Sequence, residues 1–209
     1  MKRVLFVLVL LVLLPTQNWG AGADTLYPNA NGAYQIWTPK SGGNHYVEVD
    51  DPVSSPDTGT YVYLNNKSLS SETQALDDFA YPDSTIDSVR IQQRIKKAGT
   101  GSITASFLWY DGTTRIDGGA ITLTTSYVDK FETRTTNLTG QPWTASDVNN
   151  LQVGIVGTAA ASSRYIFDTQ IFLYVFFHGT AGGQNRNRSR VIQRLLSLEN
   201  KNYYPEDHK

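Results

Sequence analysis

The sequence of 209 residues contains no cysteine and only three histidines. A chain without cysteine can form no disulfide, no thiol nucleophile and no zinc–thiolate site. The histidines, His45, His178 and His208, lie far apart. A chain this rich in Ser and Asp offers Ser-His-Asp combinations by chance, so they carry no weight as a hydrolytic site. We therefore expect stability to come from a packed core, and function to come from a surface.

The sequence also lacks a hydrophobic run of the roughly 20 residues that a membrane-spanning helix needs. Its apolar N-terminal run, residues 4–14, stops at Pro15. A basic pair precedes this run and the small residues 21–23 follow it, which is the order of a secretory signal peptide with an A-x-A cleavage site. We predict that residues 1–23 are a signal peptide. The mature chain is then secreted, extracellular or at the cell surface, and keeps no membrane anchor.

A large excess of charge of one sign is absent as well. The sequence has 18 Lys and Arg against 19 Asp and Glu, a formal net charge of −1 at pH 7. Nucleic-acid-binding domains usually present a strongly basic surface, so the composition gives nucleic acid no support as a partner. The length left after the signal peptide suits one domain with a sizeable core.

Residues 34–178 are rich in Thr, Ser, Val, Ile, Tyr and Gly, arranged in short alternating runs between turn residues. This pattern is typical of antiparallel β-structure. In the clearest run, Val89, Ile91 and Ile95 alternate with polar residues. With many strands and no alternating helices, we predict an all-β fold, a two-layer antiparallel β-sandwich of the jelly-roll type. The predicted strands are 33–37, 45–49, 60–64, 73–79, 86–96, 102–110, 120–126, 127–134, 151–157 and 165–178.

Two short helical segments are predicted beside the strands. Thr144 and Asp147 have the spacing of a capping box at the start of a helical turn. After a flexible linker at 179–188, residues 189–209 contain a C-terminal amphipathic helix and a tail. The apolar side of this helix consists of Val191, Ile192, Leu195, Leu196 and Leu198. We expect the helix to dock, because a helix this short is marginal alone in water.

The segment 165–178 is apolar on both faces of its predicted strand. Strict alternation places Tyr165 and Phe167 on the face of Ile171, and a second apolar set on the opposite face. This second set consists of Ile166, Phe172, Tyr174 and Phe176. Something must cover the second face, and the two candidates are the C-terminal helix and another copy of the protein.

Contact with another copy makes self-assembly the first functional interpretation. Residues 24–33 are then an extended N-terminal arm, in which Leu26 and Tyr27 help to complete the sheet of a neighbour. On this interpretation the protein is a secreted, non-enzymatic structural or adhesive subunit that forms filaments or coats a surface.

Carbohydrate binding is the second interpretation. Flat aromatic rings offer apolar faces to sugar rings, and neighbouring polar groups serve the hydroxyls. The candidate platform residues are Trp37, Tyr61 and Trp143, and surface glycans would then be the partners.

A glycoside hydrolase is the third interpretation. Glu48 and Asp50 resemble the first half of the E-x-D motif of laminarinase-type enzymes, which work with a pair of carboxylates. The second glutamate of that motif is missing, so the sequence places no catalytic residue.

Acidic residues cluster in two turn-rich regions. Calcium prefers oxygen ligands from carboxylates and loop carbonyls, which makes these clusters a candidate calcium site, although such residues also begin turns. The two clusters comprise Asp50, Asp51 and Asp57, and Asp77 and Asp78. No other cofactor is expected.

Three sequences match the acceptor for N-linked glycans, at Asn66, Asn137 and Asn187. In a chain rich in Ser, Thr and Asn such matches also arise by chance, and they matter only in a host that glycosylates.

Four stretches together carry a resemblance to a known domain: DDPVSSPDTGTYVY (50–63), LDDFAYPDSTIDSVRIQQRIK (76–96), LTTSYVDKFETRTTNLTGQPWTASDVNNLQVGI (123–155) and TQIFLYV (169–175). The most specific element is TGQPWTASDVNNLQVGI (139–155). Over about 46–177 the chain resembles a recurrent, mostly uncharacterised β-sandwich domain of predicted extracellular and virion-associated proteins from uncultured prokaryotes and viruses. The resemblance implies a jelly-roll-like fold and a structural or surface-interaction role, and it supplies no catalytic residue. The chain departs from this pattern after His178.

Overall fold

The computed structural model describes residues 21–100, 103–159 and 164–179. These residues form eleven β-strands, a 3-10 turn at Tyr46–Glu48 and the short helix α1, Ala145–Asn149. The strands are β1 (Ala21–Leu26), β2 (Pro28–Gln35), β3 (Thr38–Pro39), β4 (Val62–Leu64), β5 (Ser70–Leu76), β6 (Thr85–Ala98), β7 (Ile103–Tyr110), β8 (Arg115–Ile121), β9 (Val128–Arg134), β10 (Gln152–Ala159) and β11 (Tyr165–His178).

The strands pair into two antiparallel sheets. Sheet A has the order β3-β4-β11-β6-β9, with β1 also pairing with β11, and sheet B has the order β2-β5-β10-β7-β8. The eight strands from β4 to β11 thus divide as 4-11-6-9 and 5-10-7-8, which is the jelly-roll arrangement. The predicted all-β sandwich is confirmed.

The hydrophobic core lies between the two sheets and follows from the alternation of the strands. On sheet A, Val89, Ile91 and Ile95 of β6 are fully buried, as their spacing predicts. On sheet B, Phe107 and Trp109 of β7 point into the same core. Burying a large apolar side chain contributes about 1.5–3 kcal/mol, so these strand interiors dominate the stability of the fold.

A β-bulge in β11 divides the strand into two halves. The register of β11 against β6 shifts between Asp168 and Gln170, and a bulge of one residue reverses the face to which later side chains point. Ile166 before the bulge and Ile171 after it therefore both lie in the core. Phe167 points away from the core, toward Tyr61. Strict alternation was wrong here, because it placed Phe167 on the face of Ile171.

Two predicted strands differ in the structure. The segment 45–49 is not a strand: it contains the 3-10 turn Tyr46–Glu48, and the side chain of Glu48 is buried. The predicted strand 120–126 is replaced by β8, Arg115–Ile121. The alternation of β8 is not visible in the sequence, because Gly118 and Gly119 have no side chains that mark the two faces of the strand. These glycines leave room for the Glu132 side chain.

Residues 24–33, predicted to be an extended arm, form parts of two strands of their own chain. β1 pairs with β11 over Ala21↔His178 to Leu26↔Leu173, and β2 pairs with β5. The helical turn at 144–149 is confirmed, since Thr144 and Asp147 form a reciprocal capping box.

Most of the predicted signal peptide and the whole predicted C-terminal helix lie outside the described residues. Within the described ranges, no helix is long and apolar enough to cross a membrane.

Candidate functional site

The outer face of sheet A carries a row of aromatic side chains, which we call the aromatic column. The bulge in β11 reverses the face to which later side chains point. The aromatic residues of β11 before and after the bulge therefore all point away from the core. Next to them stand two tyrosines of the β4 region. The column consists of Tyr61, Tyr63, Tyr165, Phe167, Phe172, Tyr174 and Phe176.

The rings at one end of the aromatic column hold each other in place. The Tyr61 and Phe167 centroids are 5.2 Å apart with an interplanar angle of 88°. Tyr165 stacks on Phe167 at 5.7 Å, and Tyr63 lies 6.0 Å from Tyr165. These separations are those of favourable aromatic pairs. All four rings are partly exposed, so they form an ordered apolar surface that remains accessible.

A polar column runs beside the aromatic column on the neighbouring strand β6. It consists of Arg90, Gln92, Arg94 and Lys96. The register aligns the two columns: Lys96 lies opposite Phe167, Gln92 opposite Phe172, and Arg90 opposite Tyr174. Hydrogen-bonding groups therefore stand within one strand spacing of aromatic rings, about 4.8 Å.

Cations of the polar column lie over aromatic rings. The Lys96 Nζ atom is 4.2 Å from the ring centroid of Tyr127 and 5.3 Å from that of Phe167. The Arg90 guanidinium lies 5.1 Å from Phe131 and 5.0 Å from Phe176. Such contacts contribute about 0.5–1 kcal/mol each at exposed sites. They fix these long side chains on the sheet surface.

Polar contacts with β9 complete the geometry of the face. Arg90 Nε donates to Thr133 Oγ1 at 3.1 Å, and Arg94 Nη1 donates to Asp129 Oδ1 at 3.0 Å. Flat apolar rings beside oriented guanidinium groups are chemistry that suits sugars, through stacking on the rings and hydrogen bonds to the guanidinium groups.

A surface depression of about 350 Å³ adjoins the end of the aromatic column. Tyr63 is shared between the column and this depression, and Thr38 of β3 lies opposite Tyr63 in the register. The remaining lining residues are Ile36, Leu64, Asn65, Asn66 and Lys67. The face therefore extends past β4 toward the β3 edge.

Of the predicted platform residues, only Tyr61 lies on this face. Trp37 and Trp143 are 2% and 5% exposed, and their indole N–H groups donate to the carbonyl oxygens of Ser70 and Arg134. This corrects the prediction for both tryptophans, since a buried indole ring cannot stack on a ligand. The rings that sequence reasoning did not assign to a sugar platform are Tyr165 and Phe167.

The predicted interface residues do not form one exposed surface in the structure. Leu26 is part of the core, and Phe172 is fully buried although it is on the outer face. The Tyr27 ring packs 6.2 Å from that of Phe172. Tyr27, Tyr174 and Phe176 remain partly exposed, so the accessible part of the predicted interface consists of the end of β11 and Tyr27.

The aspartates predicted to bind calcium have hydrogen-bonding roles in their own loop. Asp57 Oδ1 accepts from the backbone N–H groups of Gly59 and Thr60, and these bonds, the one from Thr60 first, lower the pKa of Asp57. Asp51 Oδ2 accepts from the Asp57 N–H at 2.7 Å.

The other three aspartates are spread over the fold. Asp50 forms an isolated β-bridge with Gln170, the Asp77 N–H donates to the Tyr27 carbonyl oxygen, and Asp78 is exposed. Among the residues that the structure describes, no group of three His, Asp or Glu side chains is placed to hold a metal ion.

Three carboxylates are buried in the part of the chain that the structure describes. Glu48 accepts from the N–H groups of Ser41 and Tyr61, which braces the loop before β4. Burial raises the pKa of Glu72 to about 8 and raises that of Asp168 well above its ordinary value. Glu48, the first half of the E-x-D pattern, therefore holds the chain in place and faces the interior.

No protein-family model and no curated protein matches this sequence. Among solved structures, the chain is similar to a family 16 carbohydrate-binding module, with a TM-score of 0.36 and 15% identity over 56% of this chain and 77% of that one. It is also similar to a family 29 carbohydrate-binding module from Piromyces equi, with a TM-score of 0.39 and 10% identity over 74% of this chain and 90% of that one. At this level of similarity neither module identifies a ligand or a binding residue in this chain.

Proposed function

We propose that the protein is a secreted, non-catalytic carbohydrate-binding β-sandwich whose glycan lies on the outer face of sheet A. The observation that carries the proposal is the pairing of the aromatic column with the polar column in one register. The protein is then located in the extracellular space or at the surface of a cell or particle. This location agrees with the N-terminal sequence pattern and with the resemblance over 46–177.

The order of the face supports a binding role. Tyr61, Tyr63 and Phe167 pack against each other before any ligand arrives. Rings that are already fixed lose little conformational entropy on binding, so more of the stacking energy appears as affinity.

The placement of the buried carboxylates supports a non-catalytic role. A glycosidase needs two carboxyl groups flanking the scissile bond. Glu48, Glu72 and Asp168 are buried in the interior, and on the aromatic face Asp129 forms an ion pair with Arg94.

Self-association is the second candidate function, and one observation favours it. Phe131 of β9 is 62% exposed, and β9 pairs with β6 along one side in the described sheet. An exposed aromatic ring on an edge strand suits packing or strand addition between copies.

The test compares glycan binding by the purified protein with that of two variants, on a glycan array and by calorimetry. We expect Phe167→Ala to weaken binding about tenfold or more, because truncating an anchoring ring costs at least 1–2 kcal/mol, roughly. Tyr34→Ala is the matched control, since Tyr34 packs on Tyr110 at 5.3 Å in sheet B. Equal losses in both variants would mean that the aromatic column is not the glycan site. No glycan binding together with a mass above that of the monomer in light scattering would favour self-association instead.

A further inference from the structure

We infer that the glycan is acidic, a polysaccharide that carries uronate carboxylates or sulfate esters. This inference rests on the proposed function and names the ligand class of the same face. It follows from the charges that accompany the aromatic rings.

The outer face of sheet A is cationic along its length. Lys40 lies 5.2 Å from the ring centroid of Tyr61, and Arg90, Arg94 and Lys96 follow along β6. Asp129 offsets Arg94. Asp57, at the margin beside Lys40, is occupied by hydrogen bonds within its own loop.

Two of these cations have no carboxylate partner in the described part of the chain. The ion pairs found there involve other basic residues, Arg94, Arg115, Arg134, His45 and His178. Arg90 and Lys96 instead lie over aromatic rings. Their positive charges thus remain available to an anion from outside.

The aromatic rings also strengthen the attraction of these cations to an anionic ligand. A cation beside an apolar ring is less hydrated than one in bulk water, so its attraction to an anion is screened less. The planar guanidinium of Arg90, oriented by Thr133, can form two parallel hydrogen bonds to a carboxylate or sulfate group. A sugar that stacks on Phe167 or Phe176 brings its acidic substituent to Lys96 or Arg90.

The local charge contrasts with the charge of the chain. The formal net charge is −1, so the cations of sheet A form a local feature of a slightly acidic protein. Nucleic acid would be drawn by a strongly basic domain, and the composition gives it no such attraction. An acidic polysaccharide, which offers sugar rings to stack as well as anionic groups, fits a short row of cations interleaved with aromatics.

The experiment measures binding of the whole purified protein to polygalacturonate and to the same polymer after methyl esterification, which removes the charge and keeps the sugar backbone. We expect polygalacturonate to bind about tenfold or more tightly than its ester, and its affinity to fall steeply with added salt. A sulfated polymer such as dextran sulfate, with dextran as its neutral form, distinguishes sulfate from uronate as the acidic group. A single-stranded DNA oligonucleotide is included as a second anionic polymer.

A double variant, Arg90→Gln with Lys96→Gln, tests the residues. We expect it to lose about tenfold in affinity for the preferred acidic polymer, from two lost charge-assisted contacts. Arg115→Gln is the matched control and should stay within about twofold, since Arg115 lies 5.0 Å from the Tyr34 ring in sheet B and pairs with Asp117. Circular dichroism and thermal unfolding confirm that both variants are folded.

The outcomes separate the two proposals. Equal binding of charged and neutral polymers, lost in Phe167→Ala, would overturn the acidic ligand and leave the carbohydrate-binding function standing. No binding to any polysaccharide would overturn both. Preferential binding of DNA that is lost in the double variant would also overturn both, and would identify the face as a nucleic-acid surface.

Discussion

The Nδ1 atom of the partly buried His45 lies 2.8 Å from Oε1 of the buried Glu72. Glu72 also accepts from the backbone N–H of Trp37 at 3.2 Å and from the side-chain amide of Gln74 at 2.9 Å. Burial, above all, raises the pKa of Glu72 to about 8, and burial lowers the pKa of His45. Both shifts favour a neutral pair, in which a protonated Glu72 donates to a neutral His45. The protonation of this pair, and with it the stability of the fold, is therefore sensitive to pH.

We predict that the free energy of unfolding falls as pH rises from 6.5 to above 8. The folded state holds the Glu72 proton up to pH about 8, whereas the unfolded state releases it near 4.5. The folded state binds more protons in this range, so raising the pH favours unfolding. Asp168, whose pKa burial also raises, acts in the same direction. His45 acts in the opposite direction, but only near and below its ordinary value of 6.5.

Denaturant unfolding at a series of pH values measures this effect. Glu72→Gln keeps an oxygen to accept from Trp37 and removes the titration, so we expect a shallower dependence above pH 6.5. Asp117→Asn is the control, because Asp117 is exposed. A wild-type protein whose stability is constant or rises over this interval would contradict the prediction.

Glu132 closes one side of the sandwich by linking strands of both sheets. On β9 of sheet A, its carboxylate accepts from the Trp109 indole N–H of sheet B at 3.0 Å and from the Gly119 N–H. We predict that Glu132→Ala lowers the free energy of unfolding by about 1–3 kcal/mol, because the buried Trp109 N–H is left without its acceptor. Chemical denaturation monitored by tryptophan fluorescence measures the loss.

Two further variants isolate this link. Glu132→Gln retains one acceptor oxygen and should cost less than Glu132→Ala. Trp109→Phe removes the donor, so adding Glu132→Ala to it should cost less than in the wild type. Additive losses in the double variant would show that the hydrogen bond to Trp109 is not the source of the effect.

Sequence reasoning predicted the parts of the fold that depend on local pattern. The strand around Val89 and Ile91 follows from simple alternation, and the turn at Thr144 follows from a capping box in which both partners are three residues apart. β11 was predicted with its observed ends. Each of these features is decided within a few residues of chain.

The candidate site could not be predicted as well, because it depends on pairing between distant strands. Because of the bulge after Asp168, Phe167 lies on the outer face beside Tyr63 together with the aromatic residues that follow the bulge. The local sequence contains no pattern from which this bulge could be predicted. Alternation in TYVYL does place Tyr61 and Tyr63 on one face. That Trp37 is buried depends on its contacts with Ser70 and Glu72, which are more than thirty residues away in sequence.

Gly154 allows the central strands of sheet B to approach each other, and this gives the last prediction. A Cβ atom at this position would lie 1.8 Å from the Glu72 carbonyl oxygen and 2.8 Å from the Thr73 Cα. Both contacts are with backbone, so no side-chain rotation can relieve them. We predict that Gly154→Ala lowers the free energy of unfolding by at least the roughly 1–3 kcal/mol typical of overpacking, measured by chemical denaturation. Gly43→Ala is the control and should change stability by less than about 0.5 kcal/mol, since the nearest atom to its Cβ, Ser41 Oγ, is 3.5 Å away. A Gly154→Ala protein as stable as the control would mean that β5 and β10 can separate without cost, and that their pairing contributes little to the sandwich.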